Sequence, residues 1–279
     1  MNYKIALSVF VISMFLVSTA FVLAKPDLTF RAVDVNPSKE HASVNIPANA
    51  IEVSPDIFSL GATTDIDGKI VEGFMIIDRK KENAKPPWAG GNKNSGNKCY
   101  EFLSNGAKWK NNESWIVNTS NNQGLNDSFI FDNLASNIFK WENASSANIL
   151  GDGNTTISTL VADTQSPDGA NEVYFGSISE NGVIAVTIVW GVFYGPPSQR
   201  ELVEWDQIYD QVDFNWSSTG EANKMDFENI ATHELGHSIG MGHPSSECIE
   251  ETMYAYADFG ETKKRTLNTG DIEGISELY

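Results

Sequence analysis

The stretch HELGHSIGMGH, residues 233–243, decides how this chain is read. Residues four apart lie on one face of a helix, so His233 and His237 would present their imidazoles to the same point. Glu234 is next to the first of them, and its carboxylate would reach a water at that point without joining the histidines. Gly240 can take a positive φ and end the helix abruptly, so that the chain turns back and delivers His243 as a third nitrogen donor. Three neutral nitrogen ligands with an open fourth position describe a catalytic zinc site and not a closed structural one. A short H-E-x-x-H string also arises on ordinary amphipathic helices, where the histidines only cap or pack. Against that reading, three of the four histidines of the chain fall within eleven residues, with glycine where the backbone must turn. The fourth, His41, has no assigned role.

Working outward, Asp226 is placed to cap the helix that carries this motif to about Ile239. Thr269 is placed to cap a final short helix over 270–279. Asn126 to Trp141 spaces its apolar residues as a helix, with Asn126 or Asp127 as the cap. Strands are expected over Lys69–Asp78, Trp109–Asn118, Ile157–Ala162, Glu172–Ile178, Val183–Val192 and Leu202–Tyr209. The expected fold is α+β: a twisted mixed sheet with an active-site helix, a second long helix and a short C-terminal helix.

The 279 residues are 41% hydrophobic, enough for one substantial core and an accessory segment. Residues 1–24 carry only Lys4 and an apolar run from Ile5 to Ala24, the pattern of a cleaved secretory signal; an uncleaved membrane anchor is the alternative. The net charge of −18 argues against nucleic acid or anionic lipid as a partner. Residues 25–98 form an N-terminal prosegment or accessory segment ending in a charged, glycine-rich linker, and 99–279 form the catalytic domain. The two cysteines, Cys99 and Cys248, read first as one disulfide in an exported chain. Six Asn-x-Ser/Thr sequons are compatible with an exported surface.

HELGHSIGMGH matches the H-E-x-x-H-x-x-G-x-x-H signature of metzincins in full, and the chain resembles that clan over roughly residues 99–279. Met253, ten residues after His243, resembles the Met-turn methionine that supports the three imidazoles. Lys108-Trp109, the strand Val183 to Trp190 and the ending TLNTGDIEGISELY resemble matrixin catalytic domains. Pro244 departs from the usual matrixin serine, the position after Tyr254 is Ala255 where matrixins have proline, and the matrixin latency motif is missing. No spare histidines remain for a second, structural zinc.

The resemblance implies a secreted zinc metalloendopeptidase with Glu234 as general base, then acid, acting on extended polypeptides of extracellular proteins, as a monomer. Membrane association would follow only from a retained leader. Val183 to Trp190 is expected either as the upper rim of the cleft, where a peptide could pair, or as an ordinary core strand, and 254–259 as the wall of a specificity pocket. The loop DTQSPDGANE, residues 163–172, has the composition of a calcium site, with Asp163, Asp168 and Glu172 as its ligands. The alternative for Cys99 is a latency thiolate on zinc.

Overall fold

The computed structural model describes residues 43–84 and 98–279. The expected leader, the beginning of the 25–98 segment and most of its glycine-rich stretch lie outside those residues. In chain order the elements begin with β1 (Ser43–Val44), β2 (Ile51–Ser54), β3 (Ile57–Thr64), β4 (Ile70–Lys80), β5 (Glu101–Phe102) and β6 (Glu113–Asn118). Helix α1 (Asp127–Ser145) follows, then β7 (Leu150–Thr155), β8 (Asn171–Ile178), β9 (Val183–Val192), β10 (Glu201–Asp210), β11 (Trp216–Ser217) and β12 (Met225–Asp226). Helix α2 (Phe227–Ser238), β13 (Met241–Gly242), β14 (Tyr256–Ala257) and helix α3 (Thr269–Leu278) complete the chain.

One mixed, twisted sheet organises the described residues, in the order β2-β3-β4-β9-β10-β8-β6-β7, with β1 added beside β8 and β14 beside β4. The parallel pairs β10–β8, β8–β6 and β6–β7 make one half. The antiparallel pairs β2–β3, β3–β4, β4–β9 and β9–β10 make the other. Helices α1, α2 and α3 share one face, where Trp115, Leu134, Trp141, Phe227, Leu235 and Ile275 build the larger core. On the other face β3, β4, β8 and β9 contribute Leu60, Met75, Tyr174 and Trp190 to a smaller core. This is the expected α+β architecture with its three helices.

The sheet crosses the expected boundary at Cys99. β2, β3 and β4, from the segment expected at 25–98, lie in the same sheet as the strands of 99–279. The reason lies in β4 itself, whose Ile76 belongs to the helix-side core and whose Val71, Met75 and Ile77 belong to the opposite one. A strand with two apolar faces is buried only when both faces of its sheet are covered, as the two cores on either side of β4 do here.

In the described residues β9 has no free edge, as its reading as a core strand expects. All ten of its residues are buried, and β4 takes the edge that β10 leaves free. Three smaller differences are local. The strand expected at Ile157–Ala162 is instead β7, because Ile157 is 99% exposed and only the polar run LGDGNT meets β6. Trp109 opens no strand, since its indole Nε1 donates to the Ser238 carbonyl at the end of α2. The cap of α3 is Asn268, whose side chain and that of Asp271 form a reciprocal capping box.

Candidate active site

Helix α2 starts where Asp226 accepts from the Asn229 backbone N–H at 3.0 Å, while Arg265 grips the same carboxylate through two nitrogens. Helix α1 packs alongside, the Trp141 Nε1 donating to the Thr232 carbonyl at 2.9 Å. Gly236 is required by the next layer down. A Cβ there would overlap the Met253 sulfur and come within 2.9 Å of Trp141. The helix ends at Gly240, whose φ of +102° and closeness to the Ala107 carbonyl exclude other residues. The chain then turns into β13, which pairs with β5, and this pairing returns His243 toward the helix. A disulfide between Cys99 and Cys248 joins the segments on either side of that pairing.

The Nε2 atoms of His233, His237 and His243 converge to 3.1, 3.1 and 3.3 Å from one another. His233 Nδ1 lies 2.7 Å from the Thr252 carbonyl and His237 Nδ1 lies 2.8 Å from the Met241 carbonyl. Carbonyls only accept, so both Nδ1 atoms carry the proton and both Nε2 lone pairs face the centre of the triangle. Burial, with Lys264 and the other two imidazoles, holds the His233 pKa well below its ordinary value. Burial takes His237 to about 4. Lone pairs aimed at one another repel unless a cation lies between them. Four tetrahedral ligands at about 2.0–2.1 Å from zinc would be separated by about 3.3–3.4 Å, which this triangle nearly matches.

Glu234 is fully buried beside the triangle. Thr187 of β9 donates to its Oε2 at 2.5 Å, and Oε1 has no partner among the described residues. Burial first, and then Asp78, raise its pKa well above the ordinary carboxylate range. Asp78, at the end of β4, is the unexpected member. Its ligand atom lies with those of His233 and Glu234 inside a 4.8 Å cluster, and both of its oxygens are buried without a hydrogen-bond partner. Burial pushes its pKa up to about 7 against the attraction of the buried Lys264. Lys264 donates to the Tyr254 carbonyl and stands 3.4 Å from His233 Nδ1. The three converging imidazoles form a donor set that fits a divalent cation.

A carboxylate from α3 supports the floor of the site. Asp271 accepts from the backbone N–H groups of Thr252 at 2.7 Å, Met253 at 3.1 Å and Asn268 at 2.8 Å. It therefore fixes the turn that carries both the Met253 side chain and the carbonyl orienting His233.

The matrixin family profile matches residues 102–279. The chain belongs to the matrixin family. Over shorter stretches this matrixin is 33% identical to metalloendoproteinase 2-MMP of Arabidopsis thaliana, across 31% of its own length and 22% of the relative's. It is 39% identical to human matrilysin, across 26% of each chain, and 36% identical to metalloendoproteinase 1 of Glycine max, across 24% and 23%. These alignments span about a quarter of the length of the curated relatives.

The sequence-derived calcium ligands Asp163, Asp168 and Glu172 lie near one another. Asp163 meets Glu204 and Asp206 in a cluster of three carboxylates, whereas Asp168 and Glu172 fall outside that group. Asp168 accepts from the Ala170 N–H, and Glu172 accepts from the Val161 N–H at 3.0 Å. Burial and the neighbouring Asp163 and Asp168 raise Glu204 to about 9, and its Oε1 has no partner among the described residues.

Asp78, Thr187, Lys264, Asp271, Glu204 and Asp206 are the site residues the sequence reading missed. Asp271 carried a signal, since Asn-x-x-Asp is capping-box spacing. Asp78 carried another, as an acid closing an apolar strand on the face of Phe74 and Ile76. Nothing in the sequence located Lys264.

Proposed function

We propose that this matrixin is a zinc-dependent endopeptidase that acts on extended polypeptides outside the cell. The observation that carries the reading is the convergence of three Nε2 lone pairs beside the Glu234 carboxylate, inside a matrixin domain. His233, His237 and His243 would hold the ion, which when bound supplies a Lewis acid that polarises the scissile carbonyl and acidifies the attacking water.

The protein supplies the remaining steps. Thr187 fixes one oxygen of Glu234, leaving Oε1 free to take a proton from the attacking water and then deliver it to the departing amine. The carbonyls of Thr252 and Met241 keep two imidazoles in the required tautomer. Met253, fully buried against Gly236, supports the helix from beneath.

The apolar leader, the sequons and the disulfide support export, with membrane association only if the leader is retained, and the catalytic unit is proposed to act as a monomer. Calcium is proposed at Asp163, Glu204 and Asp206, where an unpartnered Glu204 oxygen is buried among carboxylates. The test of the main reading mixes zinc-loaded chain with a denatured protein at equimolar ratio, so that a single turnover is scored. Cleavage should disappear with chelator and in Glu234→Ala. Cleavage that ignores the chelator, or that persists in Glu234→Ala, overturns the proposal.

A further inference from the structure

Three of the six Asn-x-Ser/Thr sequons gather at one edge of the sheet. β7 ends the strand order and, among the described residues, pairs only with β6, so its outer row of N–H and C=O groups has no strand partner. Such an edge invites pairing with another chain, and sequences commonly blunt it with lysine or proline. β7 reads LGDGNT, with Asp152 as its single charge. Two of its positions cannot take a larger side chain. A Cβ at Gly153 would overlap the Trp115 indole, and one at Gly151 would lie 3.1 Å from the Glu113 backbone. Just beyond the strand stands the exposed Ile157.

Asn112, Asn126 and Asn154 are exposed around this edge. Asn112 precedes Glu113, which pairs with Leu150 at the start of β7, and Asn154 lies on β7 itself opposite Ile116. Asp127 and Ser128, the rest of the Asn126 sequon, line the same groove as Asn154, Thr155 and Ile157. Attachment of a glycan needs an accessible carboxamide nitrogen with the sequon hydroxyl beside it. Asn126 has that arrangement: its Oδ1 accepts from the Ser128 hydroxyl at 2.7 Å and from the Ser128 N–H at 2.9 Å, which leaves Nδ2 outward. Asn112 and Asn154 sit on extended chain, where residues two apart share a face, so the Ser114 and Thr156 hydroxyls flank their carboxamides.

The other three sequons are built differently. Asn118 donates Nδ2 to the Ser158 carbonyl at 2.8 Å. Asn143 is inside α1, where residues two apart do not face each other, and its Ser145 hydroxyl donates to the Glu142 carbonyl at 3.1 Å. Asn215 is followed by Trp216 and Ser217, both buried in β11. We propose that Asn112, Asn126 and Asn154 carry N-linked glycans that cover the free edge of β7, while Asn118, Asn143 and Asn215 stay bare. This rests on the reading that the chain is exported. At each site Nδ2 bonds to the anomeric carbon of an oligosaccharide carried on a lipid diphosphate. The bond from that carbon to the diphosphate breaks, the lipid diphosphate leaves, and the carboxamide loses one proton to solvent. β10, β8 and β6 separate β7 from β9, whose Thr187 holds Glu234, so the glycans stand away from the histidine triangle.

The test takes the chain from the medium of the cells that make it and maps its peptides by mass spectrometry, before and after a peptide N-glycosidase that leaves aspartate at each glycosylated asparagine. Asn112, Asn126 and Asn154 should convert to aspartate, and Asn118, Asn143 and Asn215 should not. A triple variant, Asn112→Gln with Ser128→Ala and Asn154→Gln, should lose all carbohydrate mass. Ser128→Ala removes the sequon hydroxyl and keeps Asn126 as the cap of α1. Light scattering of the triple variant should rise with concentration over a range where that of the glycosylated chain stays flat. Enzymatic removal of the sugars from folded wild type should have the same effect, so the readout does not depend on how the variant folds.

Bare asparagines throughout a chain recovered from the medium overturn the proposal and leave the export reading standing. Glycans on Asn118, Asn143 or Asn215 as often as on the other three overturn the selection by the fold. Deglycosylated chain that scatters like the glycosylated one overturns the covering of β7. A chain that never reaches the medium defeats the export reading first and takes this inference with it.

Discussion

Replacing Asp271 by asparagine tests how far the C-terminal helix reaches into the metal site. Two carboxylate oxygens of Asp271 serve three backbone donors, the N–H groups of Thr252, Met253 and Asn268. An asparagine keeps the size but turns one oxygen into an NH2 group. If the amide nitrogen replaces Oδ1, it faces the Met253 N–H; if it replaces Oδ2, it faces those of Thr252 and Asn268. At least one buried donor is then left unpaired and the charge assistance is lost, a cost of roughly 2–4 kcal/mol. For a domain of this size that is a fall in melting temperature of roughly 4–16 °C. The Thr252 carbonyl that orients His233 sits on the same turn, so metal affinity should fall about tenfold as well. Urea unfolding of the metal-free chain followed by tryptophan fluorescence gives the first number, and chelator competition gives the second. Stability within about 0.5 kcal/mol of wild type, with unchanged metal affinity, would refute the claimed link from α3 through the Met253 turn to His233.

Thr187→Val removes the donor that fixes Glu234, so peptide cleavage should fall about tenfold or more while zinc content stays at wild-type level; a loss of zinc instead would make Thr187 a general structural residue. Glu204 gives a pH signature. Its folded-state pKa, raised to about 9, exceeds that of the unfolded chain, so the folded state binds the extra proton, and metal-free stability falls as pH rises from about 5 toward 9. The slope is at most about 1.4 kcal/mol per pH unit, and both Glu204→Gln and saturating calcium should flatten it in melts across that range. The Cys99–Cys248 bond spans 149 residues, for which chain entropy predicts about 5 kcal/mol at most. The double serine variant should therefore lose roughly 2–5 kcal/mol in denaturant unfolding.

The zinc ligands were legible because their chemistry is local. HELGHSIGMGH specifies its own helix, its own turn at Gly240 and the spacing of its donors, so eleven residues carry the geometry. Asp226 and Asn126 were readable as caps for the same reason. The departures all involve partners distant in sequence. Asp163 meets Glu204 and Asp206 as well as Asp168, because β10 pairs with β8 and brings its acids under the loop. β9 reads as a buried apolar strand from its composition, but which strand covers its free edge depends on β4, more than a hundred residues earlier. Glycine-rich linker composition between residues 79 and 98 invited a boundary there, and only the two apolar faces of β4 argue against treating the strand as separate.

Single-turnover cleavage of a denatured protein by the zinc-loaded chain, with Glu234→Ala as control, tests the central claim most directly. The account predicts chelator-sensitive cleavage by the wild type and none by Glu234→Ala. A zinc-loaded wild-type chain that leaves every peptide bond intact, or equal cleavage by Glu234→Ala, would contradict it.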